Sequence, residues 1–161
     1  DLPQQLSQLL TKYQVPGSAL ALEVTEGAVM QDPQQVIRNL QQLRSMGIEL
    51  AIDDFGTGQS SLAYLKQLPV HEVKIDRAFV KDIENNQNDE LIVLATTQLA
   101  HGLGLRVTAE GLENEAGLAK LIAAGVDKVQ GYYFARPLKA DLFMAWMQAF
   151  PTEKTTWFKE T

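Results

Sequence analysis

The chain has no cysteine. Disulfides, thiolate zinc sites and a cysteine nucleophile are therefore excluded, and the composition fits a reducing compartment. Histidine is scarce too, with 2 residues, His71 and His101. Neither is expected at an inward strand end with a partner, so both read as surface or packing residues. Basic clusters are absent: Lys and Arg number 14 against 20 Asp and Glu, a net charge of -6. Binding of nucleic-acid polymers needs clustered cations along the phosphates and is not expected. A small anionic ligand stays compatible if metal ions neutralise it. No apolar run approaches the roughly 20 residues that cross a bilayer, and no secretory leader pattern opens the sequence, so the chain reads as soluble.

What is present suits one domain, since 161 residues with 45% hydrophobic content can bury a real core. Short β-favouring runs recur, and each ends in an acidic, lysine or glutamine side chain: Glu23, Asp53 and Asp54, Lys74 to Asp76, Glu110 and Gln130. A strand shows alternate residues on opposite faces, so each run splits into two rows. One row reads Ala19, Ala21, Glu23; then Glu49, Ala51, Asp53; then Glu72, Lys74, Asp76; then Arg106, Thr108, Glu110; then Lys128 and Gln130. The opposite row is Leu20, Leu22, Val24; Ile48, Leu50, Ile52; Val73, Ile75; Val107, Ala109; and Val129. Apolar residues under helices and small or polar residues facing an interior are the pattern of a parallel β/α barrel. Reacting groups in such a barrel sit at the C-terminal ends of the strands.

The order of elements agrees. Leu2–Tyr13 has helical spacing and is stopped by Pro16 and Gly17. A helix is predicted over Pro33–Met46, with Asp32 as N-cap and Gly47 at its stop. Further helices are predicted over Ser60–Leu68, Asp89–Gly102, Glu113–Ala124 and Lys139–Phe150, alternating with strands at Ala19–Val24, Ile48–Asp53, Val70–Asp76, Leu105–Glu110 and Val126–Gln130. Trp146 and Met147 read as core residues of the last helix, and one or more of Tyr132, Tyr133 and Phe134 as core. Residues 1–150 form the α/β unit and 151–161 a tail. Strict β/α alternation implies parallel strands with right-handed crossovers. A closed barrel has eight strands in about 250 residues, and this chain supplies about five. An absent N-terminal portion is the favoured explanation, with completion by another chain or an open doubly wound sheet as alternatives.

Asp53-Asp54-Phe55-Gly56-Thr57-Gly58 places two carboxylates beside a flexible loop, an oxygen-only donor set suited to Mg²⁺ or Mn²⁺. With Glu23-Val24-Thr25-Glu26, Lys74-Ile75-Asp76, Ala109-Glu110-Gly111-Leu112-Glu113 and Gln130-Gly131-Tyr132, it forms an ordered series. The series, over about Pro3 to Phe150, resembles the EAL family of cyclic-di-GMP phosphodiesterases. The resemblance implies a TIM-type (β/α) barrel, incomplete in this chain, that uses two divalent cations to linearise cyclic di-GMP to pGpG. It implies metal-site roles for Glu23, Asp53, Asp54 and Glu110. Lys74 matches the lysine that contacts the attacking water, and Glu113 a supporting catalytic residue. Asp76 and Gln130 match residues of the substrate pocket, Pro137 would lie against a guanine, and Glu26 matches the glutamate that steadies the Asp-Asp-Phe-Gly loop. It also implies a cytoplasmic setting, compatible with tethering to a membrane through a segment absent here. A homodimer and fused or associated sensory or diguanylate-cyclase domains are the expected partners besides the dinucleotide.

Two departures from the pattern stand out. The family's Glu-Ala-Leu segment and a companion Asn are not in this sequence, and Gln59 replaces a customary aromatic. A receptor that binds cyclic di-GMP without cleaving it is therefore the alternative reading, and the isolated 161 residues are expected to hydrolyse poorly. A Schiff-base role for Lys74, as in aldolases, is disfavoured because such an amine has no use for surrounding carboxylates. A kinase reading of Asp-Phe-Gly lacks its nucleotide and catalytic loops. Glu49, Glu72, Arg106 and Lys128, lower in the inward rows, are expected to pair with one another at the barrel bottom.

Overall fold

A computed structural model describes residues 1–58 and 65–150. Its helices and strands follow the polarity of the sequence: α1 Leu2–Tyr13, β1 Ala21–Thr25, α2 Glu26–Gln31, α3 Pro33–Ser45, β2 Glu49–Phe55, β3 Glu72–Ile75, α4 Gln87–Gly102, β4 Arg106–Glu110, α5 Glu115–Ala123, β5 Lys128–Gln130 and α6 Ala140–Ala149. Short 3₁₀ turns cover Gly17–Ala19 and Arg77–Phe79. All neighbouring strands are parallel, in the order β1-β2-β3-β4-β5. A doubly wound sheet reverses its strand order at a switch point. No reversal occurs here, so that alternative is excluded and the sheet winds one way, as a barrel wall does.

The apolar row of the central strands makes the core. Ile48, Leu50, Ile52, Val73, Ile75, Val107 and Ala109 are each 0 to 2% exposed, packed with Leu40 and Leu43 of α3, Val93 of α4 and Leu118 and Leu121 of α5. Each such aliphatic side chain contributes roughly 1.5–3 kcal/mol by leaving water. At the outer strands the same row is only half-buried, at Leu22, Val24 and Val129. The expectation that Trp146 and Met147 are core is corrected, since Trp146 is half-buried and Met147 is 48% exposed. The reason is position: α6 lies beside the last strand, through a ring cluster in which Trp146 meets Phe143 and Phe150, and Phe150 meets Phe134.

Capping explains several boundaries. Asp32 Oδ1 accepts from the Gln35 amide at 3.1 Å, and Gly47 takes φ 81° just past α3, as the sequence predicts. Asn86 Oδ1 accepts from the Asn88 and Asp89 amides, which starts α4 at Gln87 rather than Asp89. Asn114 Oδ1 accepts from the Gly117 amide, so α5 starts at Glu115 rather than Glu113. The first strand starts at Ala21, because Ala19 belongs to a 3₁₀ turn, and the last is confined to Lys128–Gln130. Helix α2 has no counterpart in the sequence reading and is capped by Thr25, whose hydroxyl accepts from the Ala28 amide. Most of the helix expected over Ser60–Leu68, Gln59 and the tail from 151 lie outside the described residues.

Neither histidine lies at the C-terminal end of a strand, and both have partners elsewhere. The His71 amide donates to Leu50 O at 2.8 Å while His71 Nδ1 accepts from the Leu50 amide at 3.1 Å, so the imidazole stands in for a backbone carbonyl at the start of β3. Asp127 does the same before β5: its amide donates to Val107 O, and its Oδ2 accepts from the Val107 amide at 2.6 Å. His101 Nε2 lies 2.8 Å from that same oxygen. Among the described residues no helix is long and apolar enough to cross a membrane.

Candidate functional site

Parallel pairing puts the polar rows of adjacent strands side by side, and at the C-terminal ends four of their side chains meet. Lys74 Nζ of β3 lies 2.6 Å from Glu23 Oε1 of β1, 2.6 Å from Glu110 Oε1 of β4 and 3.4 Å from Asp53 Oδ1 of β2. Its side chain is 7% exposed, whereas that of Glu23 is 48% exposed. Burial alone would push the ammonium down, but hydrogen bonds to Glu110 and Glu23 and the charges of Glu110 and Asp53 outweigh it. Lys74 is therefore held as a cation well above the usual lysine range.

Asp53 and Asp54 reach the site through an irregularity. The β2–β3 register shifts between Ile52 and Phe55, and Asp54 takes φ 56° inside the strand. A bulge of this kind re-aims side chains, and aspartate tolerates the left-handed conformation better than most residues. Asp54 then faces the Asp76 carboxyl group. Burial pushes the Asp54 carboxyl up, helped by the neighbouring charge of Asp53 and by Asp76. Asp76 Oδ1 also accepts from the Ala78 amide at 2.8 Å and starts the turn Arg77–Phe79.

Glu26 is buried, and its Oε2 accepts from the Gly56 amide at 3.1 Å. A Cβ at Gly58 would come within 2.6 Å of Glu26 Oε1, so a larger residue there would push the carboxylate aside. Of the other predicted residues, Gln130 ends β5 and Pro137 follows it, both lining a groove of 740 Å³ with Tyr132, Phe134, Phe143 and Trp146. The Arg136 guanidinium lies 4.6 Å from the centre of the Tyr132 ring. Tyr133 and Phe134 are half-buried against the core and Tyr132 is exposed. Glu113 is exposed and makes no hydrogen bond or ion pair among the described residues, so it is not drawn into the Lys74 cluster. Sequence reasoning missed Phe79, whose ring would lie 3.0 Å from a Cβ at Gly56 and so backs the Asp-Asp-Phe-Gly turn. The signal was available, an aromatic three residues beyond the β3 acid.

Below the cluster lies a second layer. Arg106 bonds Glu49 at 2.5 Å and Glu72 at 3.4 Å, Lys128 bonds Glu72 at 2.6 Å, and the Thr108 hydroxyl donates to Glu72 at 2.6 Å. This is the charge pairing predicted for these residues. Its two anions and two cations balance, so the layer supports the upper cluster without adding net charge.

The upper cluster does not balance, because three carboxylates face one ammonium. Its donors are all oxygens, and Asp53 Oδ1 is a buried acceptor with no hydrogen bond, held only by the 3.4 Å ion pair to Lys74. Both features fit a hard divalent cation. Among the described residues no three acidic or histidine side chains close around a point of their own, since Lys74 Nζ stands where Glu23, Asp53 and Glu110 converge.

The EAL domain model matches residues 1–137. The cyclic di-GMP phosphodiesterase NbdA of Pseudomonas aeruginosa is 46% identical over 131 residues, covering 81% of this chain and 17% of NbdA. A solved structure titled as the PaMucR phosphodiesterase in complex with c-di-GMP superposes with a TM-score of 0.83 at 40% identity, covering 87% of this chain and 57% of that one. The BlrP1 protein of Klebsiella pneumoniae, solved with manganese and cyclic di-GMP, superposes with a TM-score of 0.77 at 33% identity, over 83% of this chain and 34% of that one. The chain spans about a fifth of the length of the curated relatives it matches.

Proposed function

This chain belongs to the EAL domain family, and from that premise we propose that the protein carrying it hydrolyses cyclic di-GMP to pGpG with two divalent cations, Mg²⁺ or Mn²⁺. The observation that supports this most is the convergence of Glu23, Asp53 and Glu110 on Lys74 from three neighbouring strands. Glu23, Asp53, Asp54 and Glu110 would hold the ions, which supply Lewis acidity toward water and the phosphodiester.

The rest falls to the chain's own groups. In the balanced reaction, water bonds to phosphorus, the P–O3′ bond breaks, and the departing oxygen gains a proton as the water loses one. A carboxylate of the cluster, Glu110 among the candidates, would accept the water's proton. Lys74 supplies positive charge where phosphate charge develops, and burial strengthens that interaction. Glu26 holds the Gly56 amide and keeps Asp53 and Asp54 in register with the site. Gln130 and Pro137 bound the groove on the β5 side, where a guanine would rest, and the Tyr132 ring offers it a flat face. Asp76 steers Asp54, and Glu113 would join only on substrate binding. We place the protein in the cytoplasm, as a homodimer fused to or associated with sensory or diguanylate-cyclase domains.

The test is chromatographic detection of pGpG after incubation of the full-length protein with cyclic di-GMP and Mg²⁺ or Mn²⁺. Asp53→Asn, which keeps the shape but removes the charge, is expected to lower kcat/KM by at least about a hundredfold. Unchanged hydrolysis would remove Asp53 from the metal site.

A further inference from the structure

The ion pairs of Lys74 involve three carboxylates that the metal reading also requires, most closely Glu23 and Glu110 and more distantly Asp53. We propose that Lys74 is the resident counter-cation of this cluster and that a divalent ion enters by exchange with it, taking over Glu23 and Glu110 and releasing the ammonium toward the phosphodiester. The inference rests on the metal-dependent reading above and adds a loading step to it.

Two features carry the inference. First, the lysine occupies the meeting point. Its two 2.6 Å contacts are short charge-assisted bonds, and an ammonium and a divalent cation repel one another if both claim the same oxygens. Second, the charges fit an exchange. Glu23, Asp53 and Glu110 carry three negative charges against one positive, so a single divalent ion brings the group to neutrality while Lys74 stays protonated and no proton need leave. Exchange would also couple loading to chemistry, because the ammonium becomes free to donate to water or phosphate only once an ion has replaced it at the carboxylates.

The experiment compares full-length wild type with Lys74→Met, a substitution of similar length that keeps the carboxylates and removes the competitor. Mn²⁺ alone is the probe, with affinity read by calorimetry and thermal unfolding recorded in EDTA and with Mn²⁺. Exchange predicts a melting temperature lower by about 4 °C or more in EDTA for the variant, recovered on adding Mn²⁺. It also predicts Mn²⁺ binding tighter than wild type by about tenfold or more. Equal or weaker Mn²⁺ binding by the variant would overturn the proposal and make Lys74 a scaffold for the ion.

If Lys74→Met does not fold without metal, wild type alone decides. Acylation of Lys74 by an N-hydroxysuccinimide ester, read by mass spectrometry, must accelerate when Mn²⁺ is added, and an unchanged or slower rate overturns the exchange. Hydrolysis of cyclic di-GMP measured on the same wild type separates the two claims. Tighter binding by the variant without product from wild type sustains the exchange and refutes the phosphodiesterase reading. Absence of Mn²⁺ binding in both proteins overturns the exchange together with the metal site.

Discussion

Glu72 sits two residues below Lys74 on the same face of β3, and its surroundings show how the layer under the site is held. Burial pushes its carboxyl up, but hydrogen bonds from Lys128 and Thr108 and the charges of Lys128 and Arg106 outweigh this, and the group is held below its ordinary value of 4.5. Glu49 is likewise lowered, chiefly by its bond to Arg106. A depressed carboxyl stabilises the fold fully above its unfolded value, and that stability is lost as pH falls through the lower folded value. Stability should therefore hold near neutrality and decline below pH 4.5. Glu72→Gln should cost roughly 1–2 kcal/mol at pH 7 and flatten the acid limb, which urea titrations at pH 7 and pH 4 would measure. An acid limb as steep as that of wild type would mean that Glu72 does not report the layer. Lys74 has the opposite sign. Its raised value stabilises below the unfolded 10.5 and is lost as pH rises beyond it.

At the scale of elements, the loops after β4 and β5 are locked by close backbone approach. A Cβ at Gly131 would run into the backbone of Leu112, whose amide donates to Gln130 O and whose carbonyl accepts from the Tyr133 amide. Gly131→Ala is expected to destabilise by about 2–3 kcal/mol, seen as a fall in melting temperature, and an unchanged value would mean that the two loops move apart freely. Asp127→Ala removes the acceptor of the Val107 amide together with the partner of His101. It should cost about 1–3 kcal/mol and speed exchange of the Val107 amide hydrogen, whereas His101→Ala should leave that exchange slow. Much of this scale was legible in the sequence. Alternating rows, glycine stops and Asp32 before Pro33 gave the strands and helix α3, because each depends on neighbours a few residues away. What escaped depends on distant partners. Asp54 inside β2 follows from a register shift against β3, and the histidine and aspartate strand caps need a facing amide some 20 residues away in sequence. The Lys74 cluster was half legible: the rows placed Glu23, Asp53, Lys74 and Glu110 on one face, but alternation cannot give contact distances. Glu113 was named from its motif alone and stands apart.

At the scale of the whole molecule, the described residues form a five-stranded wall with a polar inner face, and among them β1 and β5 are its free edges. Apolar side chains stand exposed near both, including Leu2 beside β1 and Tyr132, Leu138 and Phe143 beside β5. Unpaired parallel edges with apolar flanks invite association, against which the charge of -6 gives general repulsion. The 161 residues alone are therefore expected to scatter light as species heavier than 17.8 kDa, to bind a hydrophobic dye, and to hydrolyse cyclic di-GMP far more slowly than the full-length protein. A monodisperse monomer with full turnover would contradict this. The central claim is tested most directly by incubating the full-length protein with cyclic di-GMP and Mg²⁺ or Mn²⁺ and resolving the products by chromatography. The expected result is pGpG that disappears with EDTA; tight binding of cyclic di-GMP with no pGpG would contradict hydrolysis and make the protein a receptor.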